Sequence, residues 1–154
     1  MSVTSPLAST AAAGDLSVSV SPGEFLDRLG ILEIKVERIP DPARQTRIGR
    51  EIELLHRVWR RSPYCQSDVD SHYRALKSVN EQLWEVEDRI REKEARQDFD
   101  REFIELARAV YLLNDRRAAC KRLINQMLGS ELNEEKSYAP YAAGDAVSEP
   151  RRVK

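Results

Sequence analysis

The chain has 154 residues, enough for one domain with a real core, and its 25 basic and 26 acidic residues leave a formal net charge of −1. That balance gives no global field for nucleic acid or an anionic membrane, and no apolar run approaches the ~20 residues needed to insert across a bilayer. Two cysteines, Cys65 and Cys120, make neither a disulfide framework nor a metal-ligand pair, which points to a reducing, cytoplasmic compartment.

Residues 1–19 are mostly Ser, Thr, Ala and Gly with hardly a large side chain. They cannot bury enough surface to offset the entropy of ordering, so a disordered N-terminal arm is expected. Residues 20–132 are expected to form a single helical domain, and residues 133–154 a C-terminal strap and disordered tail.

Ser21-Pro22-Gly23-Glu24 opens the first helix: Ser21 suits the N-cap, Pro22 the first helical position, and Glu24 the acid of a capping box. Phe25, Leu29, Leu32, Val36 and Ile39 then follow 4-3-4-3 spacing, one stripe of a helix. Ile31 and Ile34 fall on the opposite side, so this helix should bury two faces and lie between others. Pro40-Asp41-Pro42 ends it and starts a second helix with Asp41 as N-cap and Ile48, Ile52, Leu55 and Trp59 as stripe. The link is short, so the two helices should form an antiparallel hairpin, with Gly49 allowing close approach near Leu32.

Ser67 or Asp68 is expected to cap a third helix carrying Leu76, Val79, Leu83, Val86 and Ile90, preceded by Val69 and Tyr73. Gln97-Asp98-Phe99-Asp100 makes a tight corner, with Asp98 or Asp100 as the next cap. The fourth helix carries Leu106, Val110, Leu113, Cys120, Ile124 and Met127, and Gly129 is its stop. Spacing near 3.5 in the last two predicts a long antiparallel coiled-coil-like hairpin. The expected fold is all-α, four helices, with the short helical hairpin packed on the long one.

Arg117 is the anomaly in this pattern, because it continues the apolar stripe between Leu113 and Cys120. Asn114, Asp115, Arg116 and Lys121 surround it. Folding the hairpin about residue 99 places Arg117 level with Glu81–Glu85, and it could also meet Glu33 or Glu37 of the first helix. A network of interhelical ion pairs that fixes register is one reading. A charged pocket, in which Arg117, Arg116 and Lys35 hold an anion and Glu33 or Glu37 a polar group, is the other. Glu53-x-x-His56 supplies half of a di-iron motif, but His72 lacks the matching acid, so no metal site and no cofactor are expected. Neither cysteine has a nearby histidine in sequence, and no phosphate loop, serine elbow or dinucleotide fingerprint is present.

Beyond Gly129, the stretch GSELNEEKSYAPY lacks a helical period yet carries Glu134, Glu135, Lys136 and Tyr138. These are taken as candidate binding residues, on a strap over the helices or a docking segment. Together with VSPGEFLDRLGILEIKVERIPDPA, LWEVEDRIR and FIELARAVYLLNDRRAACKR, it resembles a family of small bacterial proteins classed as a domain of unknown function, over about residues 18–141. That resemblance implies a bacterial source, a single domain and a link to glycosyltransferase or cell-envelope polysaccharide systems. It assigns no catalytic residue.

The function expected is therefore a non-catalytic helical interaction or adaptor module with a protein partner or a second copy of itself. It is not expected to bind nucleic acid or insert into a membrane. The alternative is a small all-α enzyme or binder of an anionic metabolite, with the Arg, Lys and Glu side chains acting by orientation and electrostatics.

Overall fold

The computed structural model describes residue 14 and residues 16–132. The strap and its candidates Glu134, Glu135, Lys136 and Tyr138 lie outside the described residues. Four helices account for the fold: α1 (Pro22–Arg38), α2 (Pro42–Arg61), α3 (Asp70–Ala95) and α4 (Arg101–Met127). No strand occurs among the described residues, and no helix there is long and apolar enough to cross a membrane.

α1 starts as its sequence requires. The Ser21 hydroxyl accepts from the Glu24 amide at 3.1 Å, Pro22 needs no partner for a missing N–H, and Leu26, Leu29, Leu32 and Ile34 are buried. The helix packs against all three others, so burial on two faces follows from its position. α2 is different: none of its residues is fully buried, and it packs against α1 alone. Asp41 caps it by accepting from the Ala43 and Arg44 amides, and Gln45 ties the link down by donating to the Val36 and Ile39 carbonyls. Its half-buried stripe ends in Trp59, which stacks on Phe25 with ring centroids 5.8 Å apart.

α3 and α4 form the largest helix–helix contact. Leu76 and Ile124 pack in one cluster with Leu26, Leu29 and Val69, and Val79 and Leu83 pack with Leu113 in a second. Positions that rise along α3 therefore meet positions that fall along α4. The corner is held by Lys93, whose side chain is only 7% exposed and whose ammonium contacts Asp98 at 3.0 Å, Asp100 at 2.8 Å and Glu102 at 2.9 Å. Asp100 also caps α4 by accepting from the Phe103 amide at 3.0 Å, and Gly129 ends the helix at a positive φ of 64°.

Three local expectations need correction. α3 begins without a side-chain cap: Val69 stands at the N-cap, because it is buried in the core rather than free to turn outward. Met127 is 43% exposed, since the apolar period drifts off the α3-facing side in the last turn. Gly49 serves no close approach, as a Cβ there would meet nothing within 4 Å. The tight contact is at Gly23, where a Cβ would fall 2.5 Å from the Lys121 carbonyl oxygen.

These two glycines predict opposite outcomes. Gly23→Ala must push α1 off α4 and should cost about 1–3 kcal/mol, while Gly49→Ala should stabilise by roughly 0.5–1 kcal/mol through helix propensity. Urea unfolding of both variants checks the pair.

The corner predicts a pH dependence. Hydrogen bonds from Lys93 hold the Asp100 and Glu102 carboxyls below their usual range, and the same bonds hold the Lys93 ammonium above its own. The carboxylates' contribution is thus complete above their unfolded values, about pH 4–4.5, and is lost as pH falls through the depressed ones. Lys93→Met should flatten the acid limb of stability against pH, followed by urea unfolding at successive pH values.

Candidate functional site

Arg117 reaches the junction of three helices. Its Nε donates to both carboxylate oxygens of Asp27 at 3.0 and 3.1 Å, and its terminal nitrogen donates to Asp27 Oδ2. Asp27, on α1, is 1% exposed, and Asn80 of α3 donates to its Oδ1 at 2.8 Å. Arg117 itself remains 27% exposed along its side chain, so one side of the guanidinium faces outward. A carboxylate this deep requires such donors, because an unpartnered buried charge costs several kcal/mol.

The partner of Arg117 is thus not an acid of the Glu81–Glu85 run, nor Glu33 or Glu37. The level on α3 is right, since Asn80 adjoins Glu81, but the charge comes from α1. Glu33 and Glu37 instead hold Lys77 of α3, at 3.2 and 2.9 Å. Burial opposes the Lys77 charge, yet the two carboxylates outweigh it and keep the ammonium above the ordinary lysine range. Tyr73 lies next to this group, and burial first, then Glu33, pushes its ionisation well above that of a free tyrosine.

The other candidates disperse. Lys121 is buried against α1, where its ammonium meets Glu24 at 2.7 Å. Beside it, Asn125 accepts from the Gly23 amide at 2.7 Å. Asn114 donates to the Val110 carbonyl of its own helix, and Arg116 lies on the far side of α4 in a groove with Gln82, Glu85 and Arg89. Lys35 makes no ion pair among the described residues. Asp115 is half-buried on α4. So Arg117, Asn114, Glu33 and Glu37 stay on the α1 side of the hairpin, while Arg116 is directed away from it.

Next to the Arg117–Asp27 pair opens a cleft of about 440 Å³. Ile31, Ile34, Leu83 and Trp84 form its apolar wall, Asn80, Asn114 and Arg117 its polar floor, and Glu87, Asp88 and Arg91 its rim. Glu87 and Arg91 pair with each other, and Arg117 is neutralised by Asp27. The remaining fixed charge, on Asp88, is negative. Such a cleft suits an apolar group flanked by a cation better than an anion.

The family model described as a family of unknown function (DUF6165) matches residues 16–149. The chain belongs to this family. Neither the curated proteins nor the solved structures contain a match. In this DUF6165 chain no group of three or more His, Cys, Asp and Glu side chains converges on a metal-sized site among the described residues. Cys120 is half-buried, and burial raises its thiol above the ordinary range despite the nearby Arg116, which disfavours the nucleophilic thiolate.

Asp27 and Asn80 were not singled out by sequence reading. A signal existed: Asp27 is four residues before Ile31 and seven before Ile34, so it shares their second apolar face. An acid on one apolar face and an arginine on another are natural partners.

Removing either charge of this pair should be costly. Asp27→Ala or Arg117→Ala should each destabilise by about 3–5 kcal/mol, whereas the double change Asp27→Leu with Arg117→Met should cost far less than the sum. A double-mutant cycle in urea measures the coupling.

Proposed function

We propose that this chain is a non-catalytic helical interaction module whose partner protein docks in the cleft beside Arg117. One observation carries the reading: the buried Asp27 carboxylate, itself held by Asn80, accepts from both Nε and a terminal nitrogen of Arg117, so the one guanidinium in the cleft floor is bound into the fold rather than held ready for a substrate. What stays open is an apolar wall of Ile31, Ile34, Leu83 and Trp84 with an acidic rim. A partner offering a large apolar side chain beside a lysine or arginine fits it. The first partners to test are enzymes of bacterial cell-envelope polysaccharide synthesis, including glycosyltransferases.

The second reading, an enzyme or binder of a small anionic metabolite, draws on the cleft volume, which falls in the range of small-molecule sites. Its rim charge counts against it.

A thermal-shift screen and a partner assay, run together, separate the two. For the module, phosphorylated metabolites, nucleotide sugars and aromatic dicarboxylates leave the midpoint unchanged. Binding to an envelope-polysaccharide enzyme, measured by titration calorimetry, is lost in Ile31→Asp and Trp84→Ala while both variants keep their helical spectrum. A metabolite that raises the midpoint by roughly 5–10 °C at 100 times its dissociation constant, with the gain abolished in Trp84→Ala, overturns the module in favour of the binder.

A further inference from the structure

α2 stands apart from the other helices in charge as well as in packing. It carries six arginines, no lysine and two acids, an excess of four positive charges in a chain that sums to −1. The near-neutral total therefore conceals one basic helix set against a more acidic remainder. Of the two acids, Glu51 is already taken by Arg28 of α1. Arg44, Arg47, Arg50, Arg57, Arg60 and Arg61 are all exposed, and no acid pairs with any of them among the described residues.

The helix sorts these charges onto one side. Ile52, Leu55 and Trp59 turn towards α1 and the core beneath it. On the opposite side Arg47, Arg50, Leu54, Arg57 and Arg61 follow at 3-4-3-4 spacing, a row about 21 Å long at 1.5 Å per residue. Leu54 in the middle of the row and Val58 beside it are 51% and 47% exposed. No other described helix covers them, since α2 packs on α1 alone.

We propose that this row is a docking surface for an anionic lipid bilayer, on which α2 lies flat without crossing it. The guanidiniums sit at the level of the lipid phosphates, and Leu54 and Val58 dip among the headgroups. Four features select this occupant. Arginine stays charged at any physiological pH, and its planar fork accommodates phosphate oxygens. Long arginine stems can cover Leu54 while their heads reach outward. A helix exposed along its whole outer side meets a plane without obstruction. The backbone of a nucleic acid would satisfy the guanidiniums but offers nothing apolar to Leu54 and Val58. Glu53, at one edge of the row, offsets part of the attraction, and two apolar side chains are a shallow anchor, so the attachment is peripheral and reversible.

This inference does not depend on the cleft, to which α2 contributes no residue. Flotation of the full chain with vesicles of phosphatidylglycerol and phosphatidylcholine in equal parts tests it. The chain should float with these vesicles and not with pure phosphatidylcholine. Binding should fall as salt shortens the Debye length from ~10 Å at 0.1 M to ~3 Å at 1 M. Arg50→Gln and Arg57→Gln should each weaken binding roughly fivefold, and Arg→Gln at all four row positions should abolish it. Their helical spectra should be unchanged, because these side chains are exposed and glutamine suits a helix. Leu54→Asn, which leaves the charge intact, should also lower vesicle binding by roughly fivefold. Duplex DNA at matched phosphate concentration should bind more weakly than the vesicles and be indifferent to Leu54→Asn. A chain that ignores anionic vesicles at low salt, floats equally with neutral ones, keeps its binding in the fourfold variant, or prefers the duplex overturns the proposal.

Discussion

The buried carboxylate of Asp27 is the constraint on which the arrangement of the other helices depends. Placed at 1% exposure on α1, it must find donors inside the protein, and they come from two other helices: Arg117 on α4 and Asn80 on α3. Sliding α1 along the hairpin by one turn, about 5.4 Å, would strand a charge in the core. The same register is repeated at both ends of α1, by Glu24 with Lys121 and by Glu33 and Glu37 with Lys77. Gly23 allows this docking, because a side chain there would collide with the α4 backbone.

Apolar packing alone would not choose this register so firmly. The core divides into one cluster around Leu76 and Ile124 and another around Val79, Leu83 and Leu113. Leucines and isoleucines at helical spacing tolerate a shift by one turn with modest loss. The Asp27–Asn80–Arg117 group stands at the level between the clusters and makes such a shift expensive. Buried ion pairs add little net stability compared with apolar replacements, but they penalise alternatives strongly. Specificity of register is therefore the physical role of this group.

The elements of the fold were legible because each is marked locally. Ser21, Asp41 and Asp100 cap helices where capping chemistry says they should, and Gly129 stops the last one. Val69 broke the rule because core burial took the place of a cap. Arg117 was visible as a charge on an apolar stripe, but its partner was not, since periodicity within a helix does not say which faces of two distant helices meet. The level along α3 could be counted from the corner, and it led to the right turn but the wrong residue. Asp27 looked like an ordinary surface acid until its shared face with Ile31 and Ile34 was combined with the burial of α1 on two sides. Glu33 and Glu37, candidates for Arg117, meet Lys77 for the same reason: α1 is rotated so that its acids straddle α3.

Neutralising Arg117 also decides what the neighbouring cleft can do. An uncompensated guanidinium there would have drawn phosphates and carboxylates; tied to Asp27, it leaves a wall of Ile31, Leu83 and Trp84 under a rim whose remaining charge is negative. In the interaction module proposed above, recognition would then rest on shape and apolar area, the terms that dominate contacts between proteins.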